Sequence, residues 1–178
     1  MLEITVKASE YFDDRTQTFI NIPEQTLQLE HSLYTISKWE SKWHKAFLGK
    51  KEKTPEESID YIKCMTLTEN VNPMVYIGLS QENNQQIIDY INAKVSATYL
   101  PDRKEEKSGD TVTSELIYYW MVSLQIPFEC QYWHLNRLLT LIQVCNIKNK
   151  PAKKGKKPNL AHRSALNAQR RAKAHSKG

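Results

Sequence analysis
A chain of 178 residues has room for one domain with its own core and an appendage, and is too short for two full domains. Hydrophobic residues make up 40% of it, enough for a globular core, while a mean hydropathy of −0.62 places a large polar part outside that core. The net charge of +5 is unevenly carried: residues 1–150 hold 16 Lys and Arg against 20 Asp and Glu, whereas 151–178 hold nine basic residues and no acidic one, so the basic pI belongs to one solvated segment and not to the body.

In chain order, EITVKASEYFDDRTQTFINI presents two runs rich in Ile, Val, Thr and Phe on either side of a polar FDDRT turn, which predicts a β-hairpin. After Pro23, TLQLEHS alternates Leu27 and Leu29 with Gln28 and Glu30, the pattern of a half-buried strand, and the three runs together predict one small antiparallel sheet. From Leu33 the spacing changes. Leu33, Ile36, Trp39, Trp43 and Phe47 recur every three or four residues, so a first amphipathic helix is expected.

KEKTPEESIDYIKCMT carries a helix start in which Thr54 caps, Pro55 takes the first helical position and Glu57 completes a T-x-x-E capping box. Ile59, Ile62 and Met65 form its apolar stripe. Ser80 caps a further helix through SQENNQQIIDYINA, with Ile87, Ile88 and Ile91 facing inward. YLPDRKEEKSGDTV, with a proline, a glycine and mixed charge, reads as an exposed loop.

Two strongly apolar segments follow, TSELIYYWMVSL and ECQYWHLNRLLTLIQVCNI, joined at QIPF by a tight corner that Pro127 imposes. They are expected to form the centre of the core, the second through Trp133, Leu135, Leu138, Leu139, Ile142 and Cys145 or Ile147. KNKPAKKGKKPN then reads as a flexible linker, and LAHRSALNAQRRAKAHSK as good helix-forming sequence with few large apolar groups. The fold class is therefore α+β and mainly α-helical, with a small N-terminal antiparallel β element packed on a helical body. The body spans 1–149, β-rich over 1–31 and helical over 32–149, and 150–178 is a basic flexible C-terminal arm.

Chemical motifs are few. Cys130 and His134, four apart, would share one helical face as a thiolate–imidazole pair, but no third group orients the histidine and no Cys-x-x-Cys or His-x-x-x-His spacing supports zinc. Buried structural residues are the better account, for these and for His31 and His44. Glu56, Glu57 and Asp60 cluster at a helix N-terminus, where negative charge complements the helix dipole. With five glycines in the chain and no G-x-x-x-x-G-K-[ST] there is no phosphate cradle. The expectation is a non-enzyme without cofactor or metal.

Cys64, Cys130 and Cys145 show no disulfide spacing, which suits a reducing compartment. The N-terminus lacks the pattern of a signal peptide and no apolar run reaches bilayer length, so an intracellular protein without membrane contact is expected. Most aromatic residues fall inside apolar runs and read as core; Trp39 and Trp43, set among charges in SKWESKWHK, are the pair best suited to a protein interface. The arm has the composition that binds phosphate backbones by counterion release, and equally one that folds against an acidic protein.

The blocks LQLEHSLYTISKWESKW, SELIYYWMVSLQIPFECQYWHLNRLLTLIQVCNIKNK and ALNAQRRAKAHSKG, in that order, resemble the small tail assembly chaperones of long-tailed bacteriophages. The resemblance implies a protein of the host cytoplasm that binds the long helical tape measure protein and helps tail tube subunits polymerise around it, then leaves before the virion is complete. It carries no residue-by-residue binding motif. From the residues themselves, Trp39, Trp43 and Phe47 on the first helix and Arg163, Arg170 and Arg171 on the arm are the partner-contacting candidates. Two other readings stand beside it: nucleic-acid binding through 151–178, and a structural virion component. The sequence carries no signal for oligomeric state.

Overall fold
The computed structural model describes residues 1–15, 17–98, 111–149 and 160–174, the last with backbone only over 160–163. It comprises two compact units, Met1–Cys145 and Asn146–Gly178. The fold is α+β and mainly helical, with two small two-stranded antiparallel sheets packed on helices.

β1 (Leu2–Val6) and β4 (Gln25–Leu29) pair antiparallel, with Leu2 opposite Leu29 and Ile4 opposite Leu27. Because side chains alternate along a strand, this register puts Ile4, Val6, Leu27 and Leu29 on one buried face and leaves Thr5 and Thr26 to join hydroxyls at 3.1 Å on the other. β2 (Ser9–Asp13) and β3 (Thr18–Ile22) form the hairpin expected across FDDRT. The single three-stranded sheet is corrected to two pairs: β2 is polar and largely exposed, and its only buried partner residue in β3 is Ile22, so the apolar β1 face closes on β4 instead.

α1 (Leu33–Trp43) is capped by Ser32, whose backbone N–H also donates to the Thr35 hydroxyl at 3.0 Å. It ends where His44 takes a left-handed conformation, φ 51°. Phe47 therefore lies beyond the helix and not on it. α2 (Pro55–Met65) starts with the reciprocal Thr54–Glu57 box. Its exit is stitched to the sheet by the Glu30 N–H on the Met65 carbonyl at 2.9 Å and the Leu67 N–H on the Gln28 carbonyl at 2.8 Å. A 3-10 turn (Pro73–Tyr76) leads to α3 (Gln81–Asn92), capped by Ser80; Ile87 is buried and Ile91 half-buried, but Ile88 points outward.

α4 (Ser114–Ser123) buries Ile117 and Met121 and stops at Leu124; Gln125 is left-handed and Pro127 opens a 3-10 helix over Phe128–Tyr132. The last core helix, α5 (Leu135–Lys148), consequently begins later than the apolar pattern suggests. The cause is tertiary: His134 forms a β-bridge with Ser32, and the Leu135 N–H donates to the His31 carbonyl at 2.8 Å. Cys130 and His134 thus never share a helical face. Leu135, Leu138 and Ile142 are buried, Trp133, Leu139 and Cys145 half-buried, and Ile147 exposed.

The second unit contains α6 (Leu160–Lys173). Of the linker expected over 148–159, Lys148 closes α5 instead and 150–159 lie outside the described residues, as does most of the loop expected at 99–112. Among the described residues no helix is long and apolar enough to cross a membrane.

Candidate partner-binding surface
Trp39 is 1% exposed and Phe47 8%, so neither has surface to offer a partner. Their rings meet edge-on at 5.3 Å, Phe47 lies 4.0 Å from the Tyr61 ring, and the Trp39 indole N–H donates to the Glu57 carbonyl at 2.9 Å. These contacts make Trp39 and Phe47 a hydrophobic wedge between α1 and α2. Trp43 is half-buried beside Trp39, with its indole N–H on the Asp60 carboxylate at 2.9 Å.

Two of the three lysines in SKWESKWHK are committed to the same wedge. Lys42 pairs with Asp60 and Lys45 with Glu57, and both cations flank the Trp43 ring at about 6 Å. Lys53 places its ammonium 4.0 Å over Phe47 and donates to the Phe47 carbonyl at 2.9 Å; burial pulls its pKa down, against the opposing pull of Glu57. The hydrogen bond from Lys45, then that from the Thr54 amide, holds the Glu57 carboxyl below its ordinary range. Burial pushes the Asp60 carboxyl up, but Lys42 and Trp43 more than offset it.

What α1 does expose is Tyr34, and it belongs to an aromatic band built by three elements. Tyr34 of α1 lies 5.3 Å from Tyr132 of the 3-10 helix, with the Lys38 ammonium 5.7 Å above its ring. Tyr118 of α4 donates its hydroxyl to Gln131 at 2.8 Å and lies 6.3 Å from Phe128. The Tyr118 hydroxyl is pushed up by burial first, then by Tyr132 and Tyr34. Phe128 is 54% and Tyr132 56% exposed, and Tyr119 and Val122 of α4 are likewise open. Large apolar groups in contact with one another and with water mark interaction surfaces more than isolated ones do.

A second, smaller exposed pair sits on the hairpin, where Phe12 and Phe19 face each other across the strands at 4.9 Å. On α6, Arg170 and Arg171 are exposed and the helix holds no Asp or Glu; Arg163 is in the helix, its side chain outside the described part.

Among the described residues no three His, Cys, Asp or Glu side chains stand close enough to hold a metal ion. Burial first, then Glu129, raises the Cys130 thiol above its ordinary pKa, the opposite of what a nucleophile needs. His134 is engaged elsewhere, its Nε2 2.9 Å from the Tyr90 carbonyl.

The charges of SKWESKWHK point to Trp39 and Trp43, whereas the three- and four-residue spacing from Leu33 and Ile36 puts Trp39 on the inward stripe, and the exposed aromatic of α1 lies off that stripe. Tyr34 sits one position after Leu33, outside the Leu33–Ile36–Trp39 series. In LIYYWMV every position is apolar, so spacing carries no information about which side faces water. Comparison with protein-family models, with curated proteins and with solved structures found no match.

Proposed function
We propose that this protein is a tail assembly chaperone of a long-tailed bacteriophage, acting without catalysis in the host cytoplasm. It receives an amphipathic helical segment of the tape measure protein on the aromatic band and assists tail tube subunits in assembling around that client. The resemblance of the three sequence blocks supports the class of function. The observation that carries the mode of binding is a pair of aromatic contacts, Tyr34 with Tyr132 and Tyr118 with Phe128, that meet on one 3-10 helix and leave Tyr34, Phe128 and Tyr132 exposed. A helix presents apolar residues at three- and four-residue spacing, and a shallow aromatic surface on a helical body accepts such a face. Lys38 at the edge of the band favours a client helix with acidic flanking residues.

The test is an affinity pull-down of the full chain from phage-producing cells after nuclease treatment, with mass spectrometry of what co-purifies. The wild type should recover a very long helical phage protein and a tail tube subunit; Phe128→Ser with Tyr132→Ser should recover at least ~10-fold less client while keeping the wild-type unfolding midpoint. Equal recovery by the variant would remove the band from the proposal. Recovery of no phage protein would remove the chaperone reading.

One observation favours a second reading: α6 carries Arg170, Arg171 and Lys173 without a single acidic residue. Nucleic acid bound through 151–178 would show affinity falling steeply with salt and reduced by Arg170→Ala with Arg171→Ala. A third reading, a structural virion component, predicts the chain in purified particles, from which a chaperone is absent.

A further inference from the structure
Two buried histidines meet where three elements converge. His31 lies between β4 and the Ser32 cap of α1 and is 2% exposed; His134 precedes α5 and is 6% exposed; their rings lie 5.2 Å apart and nearly perpendicular. His134 is the N-terminal cap of α5. Its carbonyl accepts from the Arg137 and Leu138 amides at 2.9 and 3.2 Å, and its ring nitrogen Nδ1 accepts from the Asn136 amide at 3.2 Å. A backbone amide can only donate, so Nδ1 carries no proton; a backbone carbonyl can only accept, so Nε2, 2.9 Å from the Tyr90 carbonyl, carries one. The partners therefore hold the imidazole as its neutral Nε2–H tautomer.

We propose that His134, backed by His31, is an acid-sensitive latch that fastens the start of α5 to the end of α3 and to the β4–α1 junction. A proton added at Nδ1 would set two donors against each other, remove the cap of the Asn136 amide, and place positive charge at a helix N-terminus, where the dipole opposes it. It would also face His31, whose own protonation is resisted by burial first and by His134 second, to a pKa of about 3. The other titratable groups reaching the pair do not supply a compensating negative charge. Tyr61 of α2, 2.5 Å from His31 Nδ1, and Tyr90 of α3, edge-on to His134 at 4.9 Å, are both pushed upward, chiefly by burial. Glu30 takes the Tyr90 hydroxyl at 2.6 Å and the amino group of Met1 at 2.9 Å, and Arg137 turns to the Trp133 ring at 4.1 Å.

The same junction holds the remaining ties. Asn136 donates its side-chain amide to the Ile91 and Ala93 carbonyls, both at 3.0 Å, and the Ser32–His134 bridge joins the start of α1. Opening it frees α5 from α3 and loosens Tyr132, two residues upstream. The latch stands on its own geometry and does not depend on the proposed client.

Amide hydrogen exchange of the full chain tests it, read at about pH 7 and about pH 5 and corrected for intrinsic rates. Protection at Leu135, Asn136 and Leu138 should fall at least ~10-fold more than at Ile62 and Met65 of α2. In His134→Asn, which caps without titrating, that differential loss should shrink to within ~3-fold. Uniform loss across α2 and α5, or an undiminished differential in His134→Asn, overturns the latch. Should the variant not fold, nitrogen chemical shifts of the His134 ring in the wild type decide: the Nε2–H tautomer at about pH 7 supports the latch, and a protonated Nδ1 overturns it.

Discussion
Glu40 shows how one side chain can organise a region that periodicity does not explain. Its carboxylate is buried and accepts the Phe47 and Ser114 amides, both at 2.7 Å, so it ties the chain beyond α1 to the first turn of α4. Negative charge at that helix start is favoured by the dipole. Glu40→Ala leaves two buried donors without an acceptor and should destabilise the protein by about 3 kcal/mol in urea denaturation. Trp39→Ala should cost about 4 kcal/mol, because it empties the wedge between α1 and α2. Tyr132→Ala should cost less than ~1 kcal/mol and act on partner binding instead. If Tyr132→Ala were as destabilising as Trp39→Ala, the aromatic band would be part of the core.

At the scale of elements, local signals and tertiary contacts divide cleanly. The Thr54–Pro55–Glu57 start of α2 is a local device in which each group satisfies an amide within three residues, and its sequence pattern specifies it without further context. Thr54→Ala should lower stability by about 1 kcal/mol. Gly78 is the contrasting case. It shows no left-handed backbone, but a Cβ there would lie 2.8 Å from Ile22 Cγ2 and 3.3 Å from Val6 Cγ1, so the 3-10 turn can approach both sheets only through glycine. Gly78→Ala should cost about 2 kcal/mol in the same denaturation measurement, and an unchanged midpoint would show that Ile22 yields. The late start of α5 is of this second kind, since it follows from bonds to Ser32 and His31 more than 100 positions away.

For the whole molecule, acid stability gathers these groups into one observable. His31 is held neutral when folded but takes a proton near 6.5 when unfolded, so its contribution is full above that value and is lost progressively as pH falls toward about 3. Between about pH 7 and pH 5 this amounts to roughly 2 kcal/mol. Glu57 and Asp60, held below their ordinary values, add stability that is present above the carboxylate range and lost below it. Urea midpoints should therefore decline in two stages, the first assignable to histidine because His31→Gln shifts it. A flat profile down to about pH 5 would contradict the burial of a neutral His31.

The sequence by itself determined the elements whose signals are local: the hairpin across FDDRT, the alternating Leu27 and Leu29, the capped starts at Thr54 and Ser80, and the division of charge between body and arm. Strand pairing, the 3-10 helix after Pro127 and the exposure of Ile88 were decided by tertiary structure, because each depends on which distant surface closes over a segment. The exposed aromatic band belongs to the same class. A tryptophan among lysines has the same local sequence whether its cations face water or fold back onto Asp60 and Glu57. An all-apolar helix gives no sign of which side is left uncovered. Only the packing of α2 and the Phe47 segment on α1 buries Trp39, while Tyr34, Phe128 and Tyr132 are left in the open.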